Sequence, residues 1–264
     1  MASKTLLLLT SLLASLACAK PVAPANLPFK IVNGASNNPD GIELTASRQI
    51  LVDIQKALGQ DGYAALVTPA ANAADTYFKG LLKTANPNKA IVSLMQIEAY
   101  APNNIFNSTS VLNWLAAAGT GFPNAFLNTN PQHFMAYSGD GVAATNFTGA
   151  LSVQLETWAT ASDSITVWYG AFEITEAPSY FPALPEYNMT LFSEMRLRDG
   201  TVFAHALTAL RDLPDGSGVE YYLGMYLPEN VDQWVSDALT LHITNEFTNW
   251  MRSAYAWALD QWYL

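Results

Sequence analysis

The sequence predicts an α+β protein: a helical N-terminal part, then an antiparallel sheet of about five strands, closed by a long amphipathic helix at the C-terminus. Three observations carry that expectation. Apolar residues recur at helical spacing from Thr45 to about Thr120. After Gly121 the pattern changes to period two, interrupted by two Asp-Gly pairs. From Asn230 onward one apolar stripe runs unbroken over several helical turns.

The chain opens on an address. Lys4 supplies a positive start, Leu6 to Leu16 is apolar apart from Thr10, Ser11 and Ser15, and Ala17-Cys18-Ala19 is a small-x-small cleavage site. Residues 1–19 therefore read as a signal peptide, and a secreted protein is expected. The apolar run is shorter than the roughly 20 residues of a membrane span, so stable membrane insertion is not expected. Residues 20–44, rich in Pro, Asn and Gly, read as an extended leader, and residues 45–264 as a single domain.

Within that domain, Ile50, Leu51, Ile54 and Leu58 share a helix face, with Thr45 as N-cap and Gly59 just past the end. Ala74, Tyr77, Phe78, Leu81 and Leu82 form a second stripe, stopped by Asn86-Pro87. Ala90 to Ala99 fits a helix or a buried strand equally well, and Ser110 to Ala118 is a short helix ended by Gly119. Strands are expected around Leu151–Leu155, Ile165–Ile174, Met189–Arg198, Val202–Asp212 and Val219–Leu227. Asp199-Gly200 and Asp215-Gly216 suit type I′ hairpin loops, where both central residues need positive φ. Pro228 ends the last strand, and Asn230 with Gln233 offers a capping arrangement for the final helix. Its apolar stripe runs through Val231, Val235, Leu239, Ile243, Phe247, Trp250, Met251 and Ala254. Its polar face is Gln233, Ser236, Thr240, Thr244, Thr248 and Arg252.

Composition narrows the function. Cleavage removes Cys18, the only cysteine, so the mature chain has no disulfide, thiolate nucleophile or thiolate ligand. It also removes Lys4, leaving 11 Lys and Arg against 22 Asp and Glu, a formal charge of −11. Such a surface repels phosphate backbones, so no nucleic-acid partner is expected. Sequons at Asn107, Asn146 and Asn188 fit an exported glycoprotein. There is no G-x-S-x-G elbow, no H-E-x-x-H helix and no phosphate-binding glycine loop.

The order of a sheet followed by a long terminal helix, with Leu241-His242-Ile243-Thr244-Asn245-Glu246-Phe247-Thr248-Asn249-Trp250 inside that helix, resembles the START-like helix-grip fold over residues 130–264. The resemblance implies a curved sheet wrapped around the helix and a ligand cavity. It implies binding of a hydrophobic small molecule, or cyclase-type chemistry on one, and carries over no catalytic residue. The first strand and following short helices of that fold are not evident in the sequence, and the helical N-terminal part is an addition. In composition the chain is also similar to small secreted proteins of filamentous fungi.

Two clusters offer chemistry. A two-residue Asp199-Gly200 loop sets Arg196 against Phe203 and Glu194 against His205, and a carboxylate beside an imidazole is how general bases are often oriented. Arg196 shares that face and Tyr222 of the next strand can join it, making Glu194, His205, Arg196 and Tyr222 the candidate catalytic residues. Met195, Leu197, Val202 and Ala204 look like the core side, so the same face also reads as the solvated side of the sheet. Phe192 and Phe203 add apolar surface to it. The second cluster is His242 with Glu246 one turn on, either a metal or proton-relay pair without a visible third ligand, or a hydrogen-bonded helix boundary. His133 reads as structural or exposed. Phe192, Phe203, Trp168, His242 and Trp250 are the candidate ligand-binding residues, and no metal and no cofactor are expected.

The expected function is binding of a hydrophobic small molecule in a sheet-and-helix cavity, with cofactor-free cyclisation, dehydration or isomerisation as the associated chemistry. The alternative is a non-catalytic extracellular surface or host-directed protein, with a filled interior and Glu194 and His205 in solvent.

Overall fold

The computed structural model describes residues 29–34, 42–101, 105–117, 132–138, 145 and 147–262. The expected signal peptide, most of the expected leader and Asn146 lie outside them. The described chain forms β1 (Phe29–Asn33), α1 (Ile42–Leu82), β2 (Ala90–Tyr100), α2 (Ser108–Ala117), β3 (His133–Ser138), β4 (Ser152–Ala159), β5 (Ser164–Glu173), β6 (Met189–Leu197), β7 (Val202–Asp212), β8 (Gly218–Pro228) and α3 (Gln233–Trp262). All strands join one antiparallel sheet in the order β1-β2-β8-β7-β6-β5-β4-β3. The sheet and C-terminal helix have the α+β architecture expected from the sequence, with eight strands instead of about five.

The three additional strands have separate causes. β1 arises inside the expected leader, where Phe29 to Ile31 pairs with Ile97 to Ala99 of β2. The ambiguous segment is β2, which buries Ser93, Met95, Ile97 and Ala99 on one face. Its other face carries Leu94 against a separate outer cluster, so apolar residues fall on both faces and the period-two signal fades. β3 is only six residues long.

α1 is one element of 41 residues with a break at Gly59, whose φ of 69° lies in the left-handed region that glycine alone adopts cheaply. Gly59 thus interrupts the helix as its position suggests, and the helix resumes at once. Tyr63, Ala64 and Ala71 of α1 pack on the outer face of the sheet against Phe134, Met135 and Leu155. Further along, Phe78 reaches the main core, 4.6 Å from Phe203 and 6.3 Å from Trp158 between ring centres.

α3 lies along the inner face, packed on β2, β4 and α2. Its apolar stripe is buried as expected: Val235, Leu239, Ile243, Trp250 and Ala254 all belong to the main core. Its polar face is only partly solvated: Gln233 is exposed, but Ser236, Thr244 and Thr248 are buried. The hydroxyls are satisfied locally, Thr244 and Thr248 donating to the carbonyls of Thr240 and Thr244 and Ser236 meeting Ser93 Oγ at 3.0 Å. Asn230 does not cap this helix either. Its Nδ2 donates to Leu81 O and Thr84 Oγ1, satisfying a terminal carbonyl of α1.

Candidate functional site at the inner face

Strand alternation builds the site. In β4, Gln154, Glu156 and Trp158 point inward, and Val153 and Leu155 point to the outer clusters. The sequence shows only that apolar Leu151, Val153 and Leu155 alternate with polar residues. α1 covers the outer face, so both faces are buried. Next to Glu156, a bulge between His133 and Met135 makes Phe134 the extra residue and leaves His133 directly opposite Glu156. From the other side, α3 presents His242 and Glu246 from consecutive turns.

These four side chains meet in the interior. His133, Glu156, His242 and Glu246 are each no more than 3% exposed. His133 Nε2 lies 3.1 Å from His242 Nε2, 3.1 Å from Glu156 Oε2 and 3.8 Å from Glu246 Oε2. His242 Nε2 lies 3.5 Å from Glu156 Oε1 and 3.7 Å from Glu246 Oε2. Around them, Trp158 Nε1 donates to Glu156 Oε1 at 2.6 Å, and the Tyr169 hydroxyl contacts Gln154 Oε1 at 3.0 Å and Glu156 Oε1 at 3.1 Å. His242 Nδ1 donates to Gln132 Oε1 at 3.1 Å, which directs the lone pair of the neutral ring's Nε2 toward the other three groups. Glu156 Oε2 accepts no hydrogen bond of acceptable angle despite its proximity to His133.

Burial dominates the electrostatics. It raises the Glu246 carboxyl to about 8, with His133 opposing and Glu156 adding to the rise. Burial would also raise Glu156, but His242 and His133 outweigh it and hold the group well below the usual carboxylate range. His242 is lowered by burial, with Glu156 offsetting part of the effect, and is neutral at physiological pH. Burial, then Glu156 and Glu246, push the Tyr169 hydroxyl well above its ordinary value, so it remains a donor. His133, His242 and Glu246 offer ligand atoms within 4.8 Å of one another, as a metal centre requires.

The cluster opens onto a cavity of about 340 Å³ between the sheet, α2 and α3. Glu156, Glu246, Tyr169 and Gln154 form its polar end, and Met195, Leu223, Met225, Phe247 and Trp250 are among its apolar walls. Leu112 and Leu151, both exposed, stand at its rim. The volume falls at the small end of the range for ligand pockets.

The sequence-derived candidates sit elsewhere, with two exceptions: Trp250 lines the cavity and His242 belongs to the cluster behind it. Glu194 does stand opposite His205, but on the outer face of the sheet. The loop is not the two-residue type. Gly200 N donates to Leu197 O and Gly200 has φ of 86°, a three-residue loop with a glycine bulge, so Arg196 opposes Val202. The register change frees Phe203, which lies with Ala204 in the main core and not on the outer face. Glu194 accepts from Arg196 Nε at 2.6 Å, and His205 Nδ1 meets the Tyr180 hydroxyl at 2.8 Å. Tyr226, not Tyr222, is paired with His205, and Tyr222 is buried in the outer cluster against Tyr187. Phe192 packs in that same cluster, and Trp168 lies on the outer face beneath the guanidinium of Arg198. Glu194, His205 and the 173–178 segment border a shallow groove, neither fully solvated nor internal.

His133 and Glu156 are the site residues that sequence reasoning passed over. The available signal was Gln154-x-Glu156-x-Trp158, a polar row in a strand whose alternate row is apolar, together with histidines far apart in the chain.

No protein-family model matches the chain, and no curated protein matches it in sequence. Among solved structures it is similar to the crystal structure of Ara h 8.0201, at 10% identity and a TM-score of 0.34, over 64% of this chain and 99% of that one. Among the described residues, no helix is long and apolar enough to cross a membrane.

Proposed function

We propose that the protein binds an apolar small molecule with an oxygen-bearing end in the cavity between the sheet and α3. The observation that carries this reading is the cavity itself, about 340 Å³, apolar along its walls and ending on buried Glu156, Glu246, Tyr169 and Gln154. Buried carboxylates aimed at one end of an apolar pocket suit cyclisation, dehydration or isomerisation, because they meet developing charge where water is scarce. This moves the reactive centre from the outer Glu194 and His205 pair to the inner cluster. The signal peptide supports action outside the cell. So does Asn188, which is exposed beside the start of β6, whereas the Asn107 side chain caps α2 by accepting from Ser110 N at 2.9 Å.

Native mass spectrometry of protein from a eukaryotic secretory host, before and after organic extraction, tests the proposal. A retained apolar molecule is expected, and Ala206→Phe should abolish its retention without unfolding the protein, because Ala206 lines the cavity. A cavity that stays empty on soaking with aromatic and polyketide-like probes sinks the reading in favour of a non-catalytic extracellular protein.

A further inference from the structure

We propose that His133, His242, Glu156 and Glu246 form a binding site for one divalent first-row transition ion, at the polar wall of the cavity. His133 Nε2, His242 Nε2 and Glu246 Oε2 lie 3.1–3.8 Å from one another, and Glu156 brings Oε2 to 3.1 Å from His133 and Oε1 to 3.5 Å from His242. Four ligands placed tetrahedrally at zinc bond lengths of about 2.0–2.2 Å lie about 3.3–3.6 Å from one another. Imidazole and carboxylate donors without sulfur suit zinc, iron, manganese or cobalt, and the near-tetrahedral spacing favours zinc.

Three further features point to an ion. Glu156 Oε2 is buried and faces His133 Nε2 at 3.1 Å at an angle that makes no hydrogen bond, so a lone pair is left for an ion. With both carboxyls ionised and both rings neutral, the four buried side chains would balance the charge of one dication. The supporting groups are those a metal centre uses: Gln132 fixes the His242 ring through Nδ1, and Trp158 and Tyr169 hold the Glu156 carboxylate. The helix supplies His242 and Glu246 one turn apart, and β3 and β4 supply the other two from opposed positions. This extends the cavity reading. Because Glu156 and Glu246 line the cavity, the ion would sit where the oxygen of a carbonyl or hydroxyl ligand can reach it.

The test needs no substrate. Full mature protein is stripped with chelator, its fold verified by circular dichroism, and titrated with Co²⁺ and then Zn²⁺. One Co²⁺ per chain is expected, with a visible d–d band of low-symmetry N/O coordination that equimolar Zn²⁺ removes. His133→Ala and Glu156→Gln should weaken Co²⁺ binding by about a hundredfold or more, and Gln132→Leu by roughly ten- to a hundredfold. Folded wild-type protein that takes up no stoichiometric Co²⁺ overturns the proposal, whatever the variants do. Uptake undiminished in a folded His133→Ala protein overturns it too, by placing the ion elsewhere. Ligand retention in the Ala206→Phe experiment is read independently, so the cavity and the ion can fail separately.

Discussion

Replacing Trp158 by Phe tests whether Glu156 is held ionised in the interior. Trp158 is completely buried, and its indole N–H donates to Glu156 Oε1 at 2.6 Å. A hydrogen bond to a charged acceptor is worth about 1.5–3 kcal/mol. The smaller ring also gives up packing against Phe78, about 1 kcal/mol for a conservative large-to-small change. The expected loss is therefore about 2.5–4 kcal/mol, which for a chain of this size lowers Tm by roughly 5–16 °C. Packing and hydrogen bonding are separable by a double-mutant cycle of Trp158→Phe with Glu156→Leu, run on chelator-treated protein by urea denaturation. The coupling should be about 1.5–3 kcal/mol. A coupling indistinguishable from zero refutes the argument, because the two losses would then be independent and Glu156 would not depend on the indole.

Two predictions concern the outer face. Glu220 is buried and accepts from Arg211 Nε at 2.6 Å and Tyr187 at 2.7 Å, so Arg211→Met, leaving the carboxylate without its cationic partner, should cost about 1.5–3 kcal/mol by denaturation. Burial raises the Glu220 pKa, but hydrogen bonds from Gln96, Tyr187 and Arg211 outweigh it and the group is lowered overall. Its contribution is then present above the unfolded value near about 4.3 and lost as pH falls through the folded value, so the gap between wild type and Arg211→Met should narrow below about pH 4. A gap independent of pH contradicts the assignment. His205 is lowered by burial, with Glu194 offsetting part, so the fold favours its neutral form. Stability at this position is present above the unfolded value of about 6.5 and declines as pH falls toward the folded value. An NMR titration placing His205 at or above the ordinary imidazole value of 6.5 contradicts that.

The inner cluster shows why a sequence yields elements more readily than sites. The long helix, its apolar stripe and the β5 to β8 strands were legible because they follow local periodicities, 3.6 and 2, that neighbouring residues display by themselves. The opposition of Glu194 and His205 was legible for the same reason, since a hairpin pairs residues close in sequence. Its consequences were not, because one residue of loop length moved Phe203 into the core, and nothing local says which face of a sheet is covered.

The sequence by itself determined the α+β class, the terminal helix, the single cysteine and the acidic balance, all properties of composition or of short windows. Only the tertiary structure decided that β2 lies between β1 and β8, that α1 shields the outer face, and that the polar rows of β4 and α3 face inward. His133 and His242, 109 residues apart, become partners at 3.1 Å only once β3 and α3 are laid on either side of Glu156. The physical reason is that a buried polar group is stabilised by partners brought from distant parts of the chain, and that pairing leaves no periodic trace along it.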